Sequence, residues 1–375
     1  MKYYIIAGEA SGDMHAANLM REISIEDKDA VFRCHGGDLM QEAGGDIVRH
    51  YKHTAVMGFV NVLKNLAKIK SNLDFIKADI KDWQADAIIF VDFPGFNLKI
   101  AKYTKSIGIK NYYYISPKIW AWKKWRIKSI KKYIDSMLCI FPFEVDFYKE
   151  FDYPVFYGGN PLVDAIERNL DKTQTLESFL EKNALDDKPI IALLAGSRKQ
   201  ELNKILPEML NVIKDYPDYQ FVIAGAPSMS DEDYKDYISG FDVKIVYAQT
   251  YQLVHHAQAA LVTSGTATLE TAIINTPEVV CYRAGGGKIG FKLFWPLLNI
   301  KFISLVNIIM DRELVKELIQ HNFNEKNIEN ELNAILFDKE YRKNMLIDFD
   351  LLREKLGSAG ASNRFAKEIV SSIND

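Results

Sequence analysis

The chain opens with an unbroken apolar run, KYYIIA, then a Gly-bearing turn and a helical pattern with small residues on its first turn, GEASGDMHAANLMREI. The same sequence of short apolar run and polar or helical stretch returns at ADAIIFVDF, IKNYYYIS and SMLCIFPF. Runs without apolar–polar alternation are buried on both faces, so the pattern predicts a parallel sheet covered by helices on each side. A turn-rich stretch, FYGGNPLVD, ending at Asp164, and the charged segment behind it mark a boundary. A second series then begins with PIIALLAGSR, YQFVIAGAPS, VKIVYA, AALVTSG and PEVVCYRAG. The expected architecture is α/β, two parallel-sheet domains facing a cleft, over residues 1–165 and 166–356, with a terminal helix at 357–375. The small-residue linker before that helix leaves open whether it packs on its own first domain or on a partner's in a homodimer.

Composition changes this picture little. At 375 residues, 48% hydrophobic and 26% charged, the chain has material for two separate cores. A net charge of -3 leaves no molecule-wide positive field for a polyanion, so nucleic acid is not an expected partner and anion recognition must be local. Cys34, Cys139 and Cys281 form no C-x-x-C pair, and the histidines show no metal-ligand spacing, so neither metal nor cofactor is expected. No apolar run approaches the roughly 20 residues that span a bilayer, which predicts a cytoplasmic protein.

Candidate chemistry sits where predicted strands end. LLAGSRKQEL places Gly196, Ser197 and Arg198 between a strand and a helix, where free backbone N–H groups and a guanidinium suit a diphosphate. The ordinary alternative is a loop with a solvated arginine. LVTSGTATLE sets Ser264, Gly265 and Thr266 at the next such junction, with Glu270 one turn into the helix to accept ribose hydroxyls. Here the alternative is N-capping by Ser264 or Thr266. In VDFPGFN, Asp92 ends a buried strand and is placed to take a proton from an acceptor hydroxyl, unless it only closes an Asx turn before Pro94. Glu9, Ser11 and Asp13 occupy the equivalent edge of the first strand, where Asp13 could cap the helix.

Between Lys118 and Lys132 stand seven Lys and Arg residues, no acid, and Trp120, Trp122 and Trp125. That mixture, including Arg126, suits an interfacial surface facing anionic lipid or phosphate; the alternative is a cationic helix whose tryptophans fill the core. A second mixed apolar and basic stretch runs from Gly285 to Phe302.

In order along the chain, AGEASGDMHAAN, AVMGFVNVL, DFPGFN, YYISPKIWAWKKWR, FPFEVDFY, GNPLVD, AGSR, TSGTATLE, YRAG and SLVNIIMDRELVKELIQ resemble the motifs of lipid-A-disaccharide synthases. The resemblance covers nearly the whole chain. It implies two Rossmann-like domains of the glycosyltransferase B fold, joining UDP-2,3-diacylglucosamine to 2,3-diacylglucosamine 1-phosphate with inversion to give a β(1→6) disaccharide and UDP. It further implies Asp92 as base; Glu9 and Ser11, at the neighbouring strand edge, are expected to be catalytic with it. Gly196, Ser197, Arg198, Ser264, Gly265, Thr266 and Glu270 would bind UDP, which arrives as substrate and not as cofactor. Acyl chains need an apolar surface, expected at Met57, Phe59 and Val60 and at Trp120, Trp122 and Arg126, which would seat the enzyme on the cytoplasmic face of the inner membrane. Three positions depart from relatives: Gly95 replaces a second acid, Asn160 a usual histidine and Ala195 a common proline. The competing readings are a nucleotide-sugar epimerase, which shares this architecture, and a non-catalytic binding protein for nucleotide sugar or lipid.

Overall fold

The computed structural model describes residues 1–54, 66–283 and 300–374. It divides into two compact units, Met1–Asp164 with Ser358–Asp375, and Ala165–Gly357.

The first unit is built on seven strands, β1 (Lys2–Ala7), β2 (Val31–Gly36), β3 (Asp46–His50), β4 (Ala87–Val91), β5 (Lys110–Tyr114), β6 (Ser136–Cys139) and β7 (Phe156–Tyr157). Their order is β3-β2-β1-β4-β5-β6-β7, with every described pairing parallel. Every residue of β4 is buried, as are Tyr3 to Ala7 of β1, because helices cover both faces. The last helix, Ala361–Asn374, returns to this unit and lies along the helix Ala10–Glu26. Its first turn is tied down from afar: the amides of Gly360, Ala361 and Ser362 donate to the Asp164 carboxylate at 2.7, 3.1 and 2.8 Å.

The second unit carries β8 (Ile190–Leu194), β9 (Gln220–Gly225), β10 (Val243–Tyr247), β11 (Ala257–Thr263), β12 (Glu278–Tyr282) and β13 (Glu317–Ile319). They are ordered β10-β9-β8-β11-β12-β13, again parallel.

Each sheet reverses its winding once, between β1 and β4 in the first unit and between β8 and β11 in the second. At such a switch point the flanking helices diverge and leave a crevice beyond the carboxyl ends of the strands, where open α/β sheets bind their ligands.

Candidate active site

In the first unit, Ala7 is paired with Val91, so Gly8-Glu9 and Asp92-Phe93 leave the sheet side by side at the switch point. Gly8 is needed there: a Cβ would stand 2.4 Å from the Phe93 ring, which lies over the exit of β1. Asp92 and Phe93 both take left-handed backbone angles, φ 42° and 49°, a conformation non-glycine residues rarely adopt without support. Support comes from three bonds to the Asp92 backbone. Its amide donates to the Tyr114 carbonyl at 3.2 Å, Asn97 Nδ2 donates to its carbonyl at 2.8 Å, and the Tyr113 hydroxyl donates to the same oxygen. The helix Pro94–Ser106 begins at Phe93, whose side chain makes no cap bond, and the Asp92 carboxylate interacts with the neighbouring Phe93 amide.

That carboxyl is half-buried, and its enclosure raises its pKa to about 6. Lys118 opposes the rise, Glu9 adds to it, and the Phe93 amide and Arg126 pull it back. Ser11 Oγ donates to Glu9 Oε1 at 2.9 Å. Asp13 is buried and caps a different helix from its own, accepting from the amides of Gly37, Leu39 and Met40 at 2.7, 3.1 and 3.3 Å at the start of Asp38–Glu42. Asn160 is buried and closes a structural turn, with Nδ2 donating to the Ile140 carbonyl at 3.0 Å and Oδ1 accepting from the Leu162 amide at 2.9 Å.

The basic tryptophan segment divides in two. Trp120 is not a surface residue: it is only 8% exposed, packs edge-on against Phe143, and donates from its indole nitrogen to Glu144 at 3.3 Å. Glu144 is itself buried and accepts the Ile140 and Phe141 amides. The expected lipid contact at Trp120 is therefore corrected, since a tryptophan whose N–H has a buried acceptor belongs to the core. Trp122 and Trp125 are 48% and 65% exposed. Lys123 Nζ lies 3.9 Å from the Trp122 ring centre. Met57, Phe59 and Val60 lie outside the described residues, as does most of Gly285 to Phe302.

In the second unit, β8 and β11 run in register from Leu194 and Val262, which brings the Gly196 turn and the Ser264 turn together at the second switch point. Gly196 has φ 103°, open only to glycine at low cost, and a Cβ there would stand 2.6 Å from Glu201 Oε2. Glu201 accepts from the Ser197 amide at 3.1 Å and from Arg198 Nη1 at 3.2 Å. The helix Thr266–Ile274 starts at Gly265 with no side-chain cap. Ser264 Oγ is engaged elsewhere, donating to the Ile303 carbonyl at 3.1 Å, so the expected alternative of Ser264 or Thr266 as a cap does not hold. Among the described residues no side chain accepts from the first-turn amides at this end, which suits them to an anion. Glu270 accepts from the Tyr251 hydroxyl at 2.8 Å, and burial raises its pKa.

Residues that the sequence reading did not join to these groups complete both edges. Tyr113 and Lys118 join Asp92, and Tyr251 joins Glu270. Behind Ser264, the Ile303 and Ser304 amides donate to Glu317 (Ile303 at 2.9 Å, Ser304 at 2.9 Å), and buried Asn307 Nδ2 donates to the same carboxylate at 3.0 Å. Asn307 and Glu317 stand in the SLVN to ELIQ motif, but nothing in their spacing says what they hold. Among the described residues the acidic trio Asp215, Glu325 and Glu329 is the only group close enough to share an ion; it lies at neither switch point, and Glu325 is paired with Lys214.

Comparison with known proteins bears on this geometry. The model of the lipid-A-disaccharide synthetase family matches residues 3–369. Lipid-A-disaccharide synthases of Trichlorobacter lovleyi and Geobacter sulfurreducens are 35% and 34% identical to it, each match covering 98% of this chain and 97% and 96% of the relative. Among solved structures, a putative UDP-N-acetylglucosamine 2-epimerase from Listeria monocytogenes superposes with a TM-score of 0.70 at 13% identity, covering 99% of this chain and 96% of its own. The glycotransferase of kitacinnamycin gives 0.66 at 10% identity, covering 99% of both chains. At such identities these two share the fold alone. The full-length matches do more: this chain belongs to the lipid-A-disaccharide synthase family.

Proposed function

We propose that the protein transfers 2,3-diacylglucosamine from UDP to the 6-hydroxyl of 2,3-diacylglucosamine 1-phosphate. The observation carrying this reading is the placement of complementary chemistry at two switch points, a carboxylate of raised pKa at β1/β4 and an arginine with an uncapped helix start at β8/β11. Asp92 takes the acceptor's hydroxyl proton as that oxygen bonds to C1 of the donor. The C1–O bond to the β-phosphate breaks in the same displacement, its electron pair leaving on UDP, and the configuration at C1 inverts. Asp92 then returns its proton to solvent. Arg198 and the amides at the Thr266 helix start take up the charge developing on the diphosphate, the task a metal ion performs in other enzymes. Glu270 accepts the ribose hydroxyls. Turnover unaffected by a chelator is the expected outcome.

The acyl chains call for an apolar surface, since each methylene kept from water is worth about 0.8 kcal/mol. Among the described residues no helix is long and apolar enough to cross a membrane. Exposed Trp122 and Trp125 among lysines support a peripheral seat on the anionic cytoplasmic leaflet of the inner membrane.

Incubation with both lipid substrates tests the proposal. UDP release that requires the acceptor supports it. Interconversion of the donor alone would make the protein an epimerase, and UDP binding without turnover a binding module.

A further inference from the structure

Arg126 is half-buried, and among the described residues its guanidinium makes no hydrogen bond or ion pair; it lies over the Trp125 ring, 5.8 Å from the centre. Val91 is paired with Tyr114, so the loop after β5 leaves the sheet beside Asp92, and in the turn that follows the Arg126 amide donates to the Lys123 carbonyl at 2.9 Å. Enclosure pulls the Arg126 pKa down, while Tyr113 and Asp92 hold it up. Lys123 is also half-buried, held at a left-handed φ of 58°, and its pKa is lowered first by enclosure and then by Arg126. Lys118, exposed on the same loop, draws the Asp92 pKa down. The segment from Lys118 to Lys132 carries no acid of its own, and the carboxylate beside these cations is Asp92. Partly desolvated cations that repel one another are unfavourable unless a counter-charge is bound.

We infer that Arg126, flanked by Lys118 and Lys123, forms a phosphomonoester subsite that binds the phosphate of the sugar acceptor. This rests on the transferase reading above. The planar guanidinium takes two phosphate oxygens at once, and the lysines add point charges. The donor's diphosphate belongs to Arg198 in the other unit, so the phosphate read beside Asp92 is the acceptor's. One pyranose ring separates that phosphate from O6, and gripping one end presents the other to the base.

The full-length protein and its Arg126→Met and Arg126→Lys variants are assayed with the phosphorylated acceptor and with the same acceptor lacking its phosphate. Wild type should prefer the phosphorylated acceptor by on the order of 10²-fold in kcat/KM. In Arg126→Met that preference should collapse toward unity, in Arg126→Lys it should fall only partway, and UDP affinity should stay at the wild-type value in both. A preference that survives Arg126→Met overturns the inference, as does an equal loss with both acceptors. Loss of binding to anionic vesicles in step with activity also overturns it, because the guanidinium would then read lipid headgroups. If wild type releases no UDP with either acceptor, the transferase reading fails and direct binding still decides the subsite. Soluble glucosamine 1-phosphate should quench tryptophan fluorescence saturably in wild type and not in Arg126→Met; equal quenching in both refutes the subsite.

Discussion

Asp92 is fixed through its backbone and left to titrate through its side chain. Three bonds to its amide and carbonyl hold a strained turn, and none of them uses the carboxylate. Asp92→Asn should keep that turn, bind UDP as wild type does, and lower kcat by about 10²–10⁴-fold. A general base must be ionised, so with its pKa raised to about 6, kcat/KM should hold at neutral pH and fall as pH drops through that value. Glu9 adds to the rise; Glu9→Gln should therefore move the acid limb to lower pH, and an unmoved limb would show that Glu9 does not act on the base. The same shift has a stability consequence of opposite sign. A carboxyl whose folded pKa exceeds its unfolded value of about 3.9 costs stability as pH rises between the two, and the cost persists above both. Asp92→Asn should thus match or exceed wild type in Tm at pH 7.5, with the difference vanishing near pH 4. The sequence offered Asp92 as either base or turn former; Asn97 and Tyr113 hold the turn through its backbone carbonyl, and the variants above test the base.

At the scale of elements, legibility followed burial. The strands read from sequence, among them β1, β4, β8 and β11, are largely apolar runs covered on both faces. Those that escaped it have other reasons for being strands. β2 carries Arg33, paired with Asp46 and Asp79, and β3 is a half-buried edge with no apolar run. β13 is three residues within a motif whose spacing gave no sign of a strand. Likewise Asp13 and Asp164 looked like local caps or turn residues, yet each serves amides far along the chain, which no local pattern encodes. Asp164 yields a prediction of its own. Asp164→Ala removes the acceptor for three amides at the start of Ala361–Asn374, and loss of one such cap costs about 0.5–2 kcal/mol. Hydrogen exchange should quicken across that helix while the second unit's amides keep their protection. Uniform destabilisation of both units would show that the cap does more than seat the helix.

For the whole molecule, the basic tryptophan segment sets a core residue beside the exposed indoles of the proposed membrane contact. Trp120 is locked to Glu144, and burial raises that carboxyl's pKa to about 7, so its neighbourhood is part of the core. Trp120→Ser leaves a cavity and an unserved acceptor, changes that typically cost several kcal/mol for a large aromatic. It should lower Tm and activity together whatever the membrane composition. Trp122 and Trp125 are largely in solvent, so serine at both should leave Tm unchanged. If they anchor the protein, the double variant should release it from anionic vesicles while activity on detergent-dispersed substrates persists. Raising salt should weaken wild-type attachment through the neighbouring lysines, because exposed charges are screened within about 10 Å at 0.1 M. Vesicle co-sedimentation of the two variants side by side distinguishes the roles. Attachment that survives loss of both exposed indoles would move the membrane contact elsewhere on the protein and leave the cations beside Asp92 to the substrate alone.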